Sequence, residues 1–212
     1  DDFHINPEEI ETKYYGVLTK IFNVARFASQ FESPDDLSSP PELNIEDIWI
    51  LSEFDRSMAK VEKAWKDVDI YTAAQTLKSF GTGIFPSHWL EMSKSRLYDG
   101  DISATWTIHR IVRDFLSAFS PICPFFTHYL STTLYGSSSV DVRAFPRLPS
   151  FHGSELFEEL RVKTESLEEF NSMVWREKKE RGLSLKSPIS DIQIPEFLNL
   201  FTDALVNMHN LE

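Results

Sequence analysis

Cysteine is almost absent from this chain of 212 residues, in which Cys123 stands alone. A single cysteine cannot form a disulfide bond within the chain, and its presence without a partner is typical of a reducing compartment. The 6 histidines are scattered without the spacing of metal ligands. We therefore expect a cytoplasmic protein that has neither a disulfide framework nor a metal site.

Long apolar runs are also lacking. No stretch approaches the roughly 20 apolar residues of a membrane-spanning helix, and no signal peptide is visible, so we expect a soluble protein with no membrane partner. The chain opens on Asp1-Asp2-Phe3 instead of an initiator Met, which we interpret as a fragment of a longer protein.

Basic residues are outnumbered, with 21 Lys and Arg against 33 Asp and Glu and a net charge of -12. This balance disfavours a generic nucleic-acid binder, because non-specific affinity comes from cations that neutralise phosphates. It leaves room for recognition of one RNA loop, which relies on stacking and base-edge contacts from a small surface. Aromatic residues make up 13% of the chain and supply ample material for a core.

Apolar residues recur at spacings of three and four over the first 150 residues, which predicts a bundle of helices. Prolines and glycines mark where the helices end, and Asn44 and Asp69 are candidate N-caps. The predicted helices cover residues 8–31, 45–68, 69–98 with a kink between Gly81 and Pro86, 103–119, and 124–134. Residues 1–150 are thus predicted to form one helical domain.

The pattern changes after Pro146 and Pro149. A charged helix is predicted over 155–181 and ends at Gly182, and the alternation of apolar residues over 189–194 predicts a short strand before a final helix. We expect residues 151–212 to form a small α/β appendage that packs on the bundle. The predicted fold class is therefore mainly α with this appendage.

The corner between the fourth and fifth helices reads Ser120-Pro121-Ile122-Cys123-Pro124-Phe125. It resembles the Ala-Pro-Phe-x-Pro-Phe corner in the anticodon-binding domain of class I aminoacyl-tRNA synthetases of the valine, isoleucine, leucine and methionine group. The similarity covers about residues 13–209, with matched elements in the same order. This resemblance implies a helical domain that binds the anticodon stem-loop of a tRNA and belongs to a longer ligase.

Residues 91–95, Glu-Met-Ser-Lys-Ser, differ by one residue from the Lys-Met-Ser-Lys-Ser signature with which these synthetases hold ATP. That signature lies on a mobile loop, whereas this stretch lies within a predicted helix, and no His-x-Gly-His motif is present. We find no Ser/His/Asp, Cys/His or paired-carboxylate constellation either. We therefore predict no catalytic residue and no cofactor in this chain; ATP with Mg would be used by the catalytic domain of the same parent chain. The alternative, a helical enzyme that uses the Met-Ser-Lys-Ser stretch, would require this chain itself to bind ATP.

Residues 175–188 closely resemble the Lys-x-x-Arg-Gly-Leu-Ser-Leu-Lys-x-Pro pattern of the valine-specific members, especially the shorter archaeal type. This favours valine tRNA as the partner over the isoleucine, leucine and methionine tRNAs. The segment is also the densest basic run in the chain, and its side chains either approach phosphates or form a solvated helix face. The basic residues are Arg176, Lys178, Lys179, Arg181 and Lys186.

The segment Phe22–Phe27 resembles the Trp-Asn-x-x-Arg-Phe segment of the valine enzymes. Arg26 is the first candidate for reading a base, because its guanidinium is a planar fork of donors; the alternative is an ion pair with a neighbouring helix. Trp49 could stack on a base or lie in the core, and Trp89 is predicted to be structural. The resemblance implies as candidate RNA-binding residues Asn23, Arg26, Phe27, Trp49, Lys94, Arg96, Lys178 and Lys179.

The sequence thus predicts the tRNA-binding part of a monomeric synthetase that charges valine tRNA. The acidic charge and abundant aromatic residues also leave open a helical protein-interaction module, which would bind a protein partner and show no salt-dependent RNA binding.

Overall fold

The computed structural model describes residue 8, residues 14–136, residues 145 and 146, and residues 154–212. These residues fold mainly into α-helices, which confirms the predicted class. No helix among them is long and apolar enough to cross a membrane. The predicted domain boundary near residue 150 lies outside the described residues. The helices are α1 (Tyr15–Ala28), α2 (Ile45–Lys66), α3 (Ile70–Thr82), α4 (Leu90–Tyr98), α5 (Ile102–Phe119), α6 (Pro124–Tyr135), α7 (Glu155–Arg161), α8 (Thr164–Glu180) and α9 (Thr202–His209), with a π-helical turn at Phe85–Trp89 and a 3-10 helix at Glu196–Phe201.

Helix α2 crosses the centre of the bundle and contacts α3, α5 and α7. Its predicted apolar stripe is buried at Leu51, Phe54, Met58 and Val61. The stripe ends earlier than predicted, because α2 stops at Lys66 and Val68 sits exposed in the turn to α3 with a φ of 59°.

The predicted interruption between α3 and α4 is present as the π-helical turn, whose wider geometry includes Pro86. Asp69 caps α3 as predicted, because its carboxylate accepts the backbone N–H of Thr72 at 2.9 Å. Gly81 has a packing role that the sequence did not indicate: a Cβ at this position would lie 2.6 Å from the ring of Phe115 on α5.

Helices α5 and α6 meet at the proline corner as predicted. Asp101 caps α5 by accepting the N–H of Ala104 at 2.8 Å, and α5 ends at Phe119, two residues before Pro121. Pro124 is the first residue of α6, where the missing N–H costs no intrahelical bond.

The C-terminal segment, residues 154–212, differs from the prediction in two ways. The predicted helix over 155–181 is two helices, α7 and α8, separated at Val162 and Lys163. The predicted strand over 189–194 is wrong, and with it the α/β character of the appendage, because the described residues contain only an isolated bridge between Ile189 and Leu211. A left-handed φ of 69° at Asp191 breaks the extended run, and the isoleucines of this stretch pack into the core without a neighbouring strand.

The C-terminal segment packs on the bundle, as expected. Helix α7 contacts α2, and α9 contacts α4. Apolar side chains from both parts, such as Leu51, Phe157 and Leu205, belong to one continuous core.

Candidate nucleic-acid interface

Helix α1 presents three of the predicted RNA-binding residues on one surface. Its buried face is formed by Ile21, Val24, Ala25 and Ala28. Asn23 and Arg26 are exposed and Phe27 is half-buried, and their spacing of three and four residues makes them neighbours on the helix. The structure therefore brings Asn23, Arg26 and Phe27 together.

The guanidinium of Arg26 is free to bind a ligand. It lies 5.9 Å from the centroid of the Phe22 ring and is in the last turn of α1, where the helix dipole favours a cation. Among the described residues, no carboxylate forms an ion pair with it, so the alternative of a pairing with a neighbouring helix finds no support there.

An aromatic cluster lies beside this face and consists of Phe27, Phe31 and Tyr98. The Phe27 and Phe31 ring centroids are 5.1 Å apart, and the Tyr98 centroid lies 6.0 Å from that of Phe27 and 5.7 Å from that of Phe31. Tyr98 is the last residue of α4 and is 66% exposed. The cluster thus joins the ends of α1 and α4 at the protein surface.

His109 of α5 anchors the backbone beneath the cluster. Its Nε2 lies 3.1 Å from the carbonyl oxygen of Phe31, and its Nδ1 lies 3.0 Å from the hydroxyl of Tyr135. Burial lowers the pKa of His109, although the hydrogen bond to Phe31 opposes the shift, so the ring is neutral at pH 7. A neutral ring that donates to Phe31 accepts from Tyr135, which fixes the position of the turn after α1.

Lys94 lies on the same face of α4 as Tyr98, one turn earlier. Its side chain is 42% exposed, and its Nζ lies 2.5 Å from a carboxylate oxygen of Glu91. The Met-Ser-Lys-Ser stretch is thus helical as predicted, with Met92 and Ser93 buried. We call the surface formed by Asn23, Arg26, Phe27, Lys94 and Tyr98 the α1–α4 surface.

Arg96, in contrast, is a structural residue in this fold. Its guanidinium pairs with the carboxylates of Glu46, Asp47 and Asp101. Burial disfavours its charge, but the hydrogen bonds that it donates to Asp47 and Asp101 outweigh the burial and raise the pKa of Arg96 above its usual range. The predicted contact with a tRNA phosphate is unsupported, because these carboxylates already occupy the guanidinium. The sequence around Arg96 did not indicate its ion pairs with Glu46 and Asp47, because both carboxylates come from the start of α2.

Trp49 is also internal. It is 0% exposed, its indole N–H donates to the hydroxyl of Thr164 at 3.0 Å, and its ring meets that of Phe201 edge to face. The ring has no surface to offer a base, so of the two readings of Trp49 the structure supports the core. Trp89 is buried as predicted, and its N–H donates to Asp47 at 2.9 Å.

The basic residues predicted to lie together in the C-terminal segment have different environments in the structure. Lys178 is fully buried and donates to backbone carbonyls, so it cannot contact RNA in this fold. Lys179 is exposed in the last turn of α8, and Arg181 pairs with Glu177 at 2.8 Å. Lys179 therefore stays a candidate on an element separate from α1 and α4.

A broad cleft of about 920 Å³ lies between α2, α3 and the start of α8. Arg56 and Lys60 line it together with Glu53 and Glu168, and Arg56 pairs with Glu53. Because two acidic residues line the cleft beside its two cations, this cleft offers no concentrated positive charge for a phosphate.

Sequence reasoning missed Tyr98. The available signal was an aromatic residue directly after the buried Leu97 and before Asp99-Gly100, at the end of a predicted helix. Such a position lies on the surface, where the ring is accessible to a ligand.

Comparison with known proteins identifies the family. A model of the anticodon-binding domain of tRNA ligases matches residues 47–194. Over 90% of its length the chain is 32% identical to the valine–tRNA ligase of Saccharolobus solfataricus, and over 91% it is 32% identical to that of Aeropyrum pernix. It spans 22% and 24% of those relatives, respectively. The valine–tRNA ligase of Nanoarchaeum equitans is 28% identical over 100% of the chain, which spans 27% of that relative. The chain therefore belongs to the family of anticodon-binding domains of tRNA ligases.

Proposed function

We propose that this chain is the anticodon-binding part of a valine–tRNA ligase and that its α1–α4 surface binds the anticodon loop of a valine tRNA. The observation that carries the proposal is that the exposed Asn23 and Arg26 lie on α1 beside the half-buried Phe27 and its aromatic cluster. The names of the relatives support valine over the isoleucine, leucine and methionine alternatives.

The chemistry of this surface suits an RNA loop. The Arg26 guanidinium offers paired donors to a base edge, and the Asn23 amide offers both a donor and an acceptor. Single-stranded loops expose the base edges and faces that such groups recognise. The net charge of -12 leaves little non-specific attraction, so we expect weak binding whose selectivity comes from the bases.

The parent protein would use ATP with Mg to attach valine to the tRNA, in a catalytic domain on the same polypeptide. The present chain would hold the anticodon end of the tRNA and orient the molecule. We propose a monomeric, cytoplasmic ligase as the parent.

The test is a titration of the chain with a valine tRNA transcript and with the same transcript altered at the second and third anticodon bases. We expect tighter binding of the unaltered transcript at low salt. Equal binding of both transcripts, or binding of neither, would contradict the proposal. The alternative, a protein-interaction module, predicts no salt-dependent RNA binding.

Arg26→Ala refines the test, with Lys63→Ala as the control on an exposed cation of α2 that is not a candidate for RNA binding. If Arg26 contacts a base, its loss reduces the preference for the unaltered transcript. If it contacts a phosphate, its loss weakens the binding of both transcripts equally and reduces the salt slope by about 1. We expect the first result for Arg26→Ala, and unchanged affinity and preference for Lys63→Ala.

A further inference from the structure

We propose that Tyr98 is the base-stacking residue of the α1–α4 surface, so that an unstacked base of the anticodon loop lies on its ring. This inference rests on the proposed function and assigns the stacking role that the buried Trp49 cannot fill.

The Tyr98 ring is available to a ligand. The residue is 66% exposed at the end of α4, while Trp49 and Trp89 are each 0% exposed. Among the described residues, no group forms a hydrogen bond with its hydroxyl. Most of the residue's surface is therefore accessible, and its hydroxyl has no hydrogen-bond partner among the described residues.

The ring is also held in place before a ligand arrives. Phe27 and Phe31 meet it at interplanar angles of 87° and 66°, which is the edge-to-face geometry that aromatic pairs prefer. Phe31 is itself fixed by the hydrogen bond between its carbonyl and His109. A ring that is already ordered loses little conformational entropy on binding.

The groups around Tyr98 fit a nucleotide better than an apolar peptide. Arg26 and Asn23 lie on the exposed face of α1 next to Phe27, which contacts Tyr98, and they can reach the edge of a base. Lys94 lies one turn before Tyr98, and because its ammonium pairs with Glu91 it adds little positive charge for a phosphate. The nearby carboxylate of Asp101 is paired with Arg96, which reduces its repulsion of the RNA.

The exposed Asp99 follows Tyr98 directly and carries a negative charge at the same helix end. A surface with this charge attracts an RNA backbone only weakly. Binding would therefore depend on stacking and base-edge contacts, which do not require a basic field.

The experiment compares Tyr98→Leu and Tyr98→Phe with Tyr71→Leu. Tyr71 is the matched control, because it is an exposed tyrosine (74%) at the start of α3 that lines the cleft between α2, α3 and α8. Leucine keeps apolar packing against Phe27 but has no aromatic face. The ligand is a valine tRNA anticodon stem-loop with 2-aminopurine in place of the adenine at the second anticodon position, and both affinity and fluorescence are measured.

We expect Tyr98→Leu to bind about 5- to 150-fold more weakly, which corresponds to one lost stacking contact of roughly 1 to 3 kcal/mol. The change in 2-aminopurine fluorescence on binding should also disappear in Tyr98→Leu. Tyr98→Phe and Tyr71→Leu should resemble the wild type in both respects, and circular dichroism should show that all four proteins are folded.

The outcomes separate this inference from the proposed function. If the wild type prefers the correct anticodon and Tyr98→Leu binds equally well with the same fluorescence change, the Tyr98 inference is wrong and the proposed function stands. If the wild type shows no preference among anticodons, the proposed function fails and the Tyr98 inference fails with it.

Discussion

The ammonium of Lys178 donates to the carbonyl oxygen of His209 at 2.6 Å, inside the protein. It also donates to the carbonyl oxygens of Leu185 and Ser187, each at 2.8 Å. An ammonium has three protons, and this site offers an acceptor for each. Lys178 therefore connects the end of α8 to the following loop and to the end of α9.

Substitution of Lys178 should reduce stability. Lys178→Met fills similar space but leaves three buried carbonyls without their donor, and each unsatisfied group costs about 1 to 3 kcal/mol before relaxation. We expect the free energy of unfolding to fall by at least about 2 kcal/mol in denaturant titrations.

Lys179→Met is the matched control for this prediction, because Lys179 is exposed at the adjacent position. A change within about 0.5 kcal/mol is expected for such a surface residue. Equal effects of the two substitutions would show that Lys178 has no special structural role.

Asn171 sets the protonation of two buried histidines. Its amide oxygen lies 2.7 Å from Nε2 of His209, and its amide nitrogen lies 3.0 Å from Nδ1 of His88. An amide nitrogen only donates, so Nδ1 of His88 must be unprotonated, and Nε2 of His209 must carry a proton. The bond to His88 requires an unprotonated Nδ1, whereas Nε2 of His209 can donate to Asn171 whether or not that ring is charged. The two bonds therefore connect α8, α9 and the π-helical turn as long as His88 is neutral.

Acid should therefore weaken the fold. Burial, and then the positive charges of Lys178 and His88, lowers the pKa of His209 to about 4, and burial also lowers the pKa of His88. An unfolded histidine titrates near pH 6.5, so between about pH 6.5 and 4 the unfolded state binds more protons. Stability should be complete above about pH 6.5 and fall as the pH drops through this window, by about 3 kcal/mol for His209.

The measurement is the free energy of unfolding at several pH values for the wild type, His209→Gln and His128→Gln. His128 is exposed on α6 and serves as the control. His209→Gln should flatten the dependence between about pH 4.5 and 6.5, while His128→Gln should retain it. A wild-type stability that stays constant over this range would contradict the prediction.

Gly81 should tolerate no larger residue, unlike Gly16. A Cβ at Gly81 would lie 2.6 Å from Cζ of Phe115, whereas a Cβ at Gly16 would meet nothing within 4 Å. Gly81→Ala forces the buried Phe115 ring to move and should destabilise the protein by about 1 to 3 kcal/mol. Gly16→Ala should stabilise it slightly, by up to about 0.5 to 1 kcal/mol, because alanine favours a helix. Thermal unfolding of both variants tests this, and a stable Gly81→Ala would overturn the packing argument.

The sequence predicted those features that local chemistry determines. The cap at Asp69 and the helix start at Pro124 follow from residues within a few positions of each other. The same holds for the amphipathic stripe of α2. The residues on the exposed face of α1 were found through the resemblance of the segment Phe22–Phe27 to the valine enzymes, and the structure shows that they are neighbours on the helix.

The errors concern partners that are distant in the chain. Trp49 contacts Thr164, Lys178 contacts His209, and Arg96 contacts Asp47. The local sequence pattern around each residue does not indicate these contacts. Tyr98 was missed for the same reason, since its neighbours Phe27 and Phe31 come from α1 and the turn after it. The strand over 189–194 failed because an alternating pattern reports burial but not whether a pairing strand exists.

Trp49→Phe should reduce stability but not RNA recognition, whereas Arg26→Ala should reduce RNA recognition but not stability. Trp49→Phe removes the hydrogen bond to Thr164 and should lower the free energy of unfolding by about 1 to 2 kcal/mol, without changing the preference for the correct anticodon. Arg26→Ala removes an exposed side chain and should leave stability within about 0.5 kcal/mol of the wild type while reducing that preference. Unfolding curves and RNA titrations of the same two preparations make the comparison. A loss of anticodon preference in folded Trp49→Phe would place the binding surface near α2 and would remove the assignment to α1 and α4.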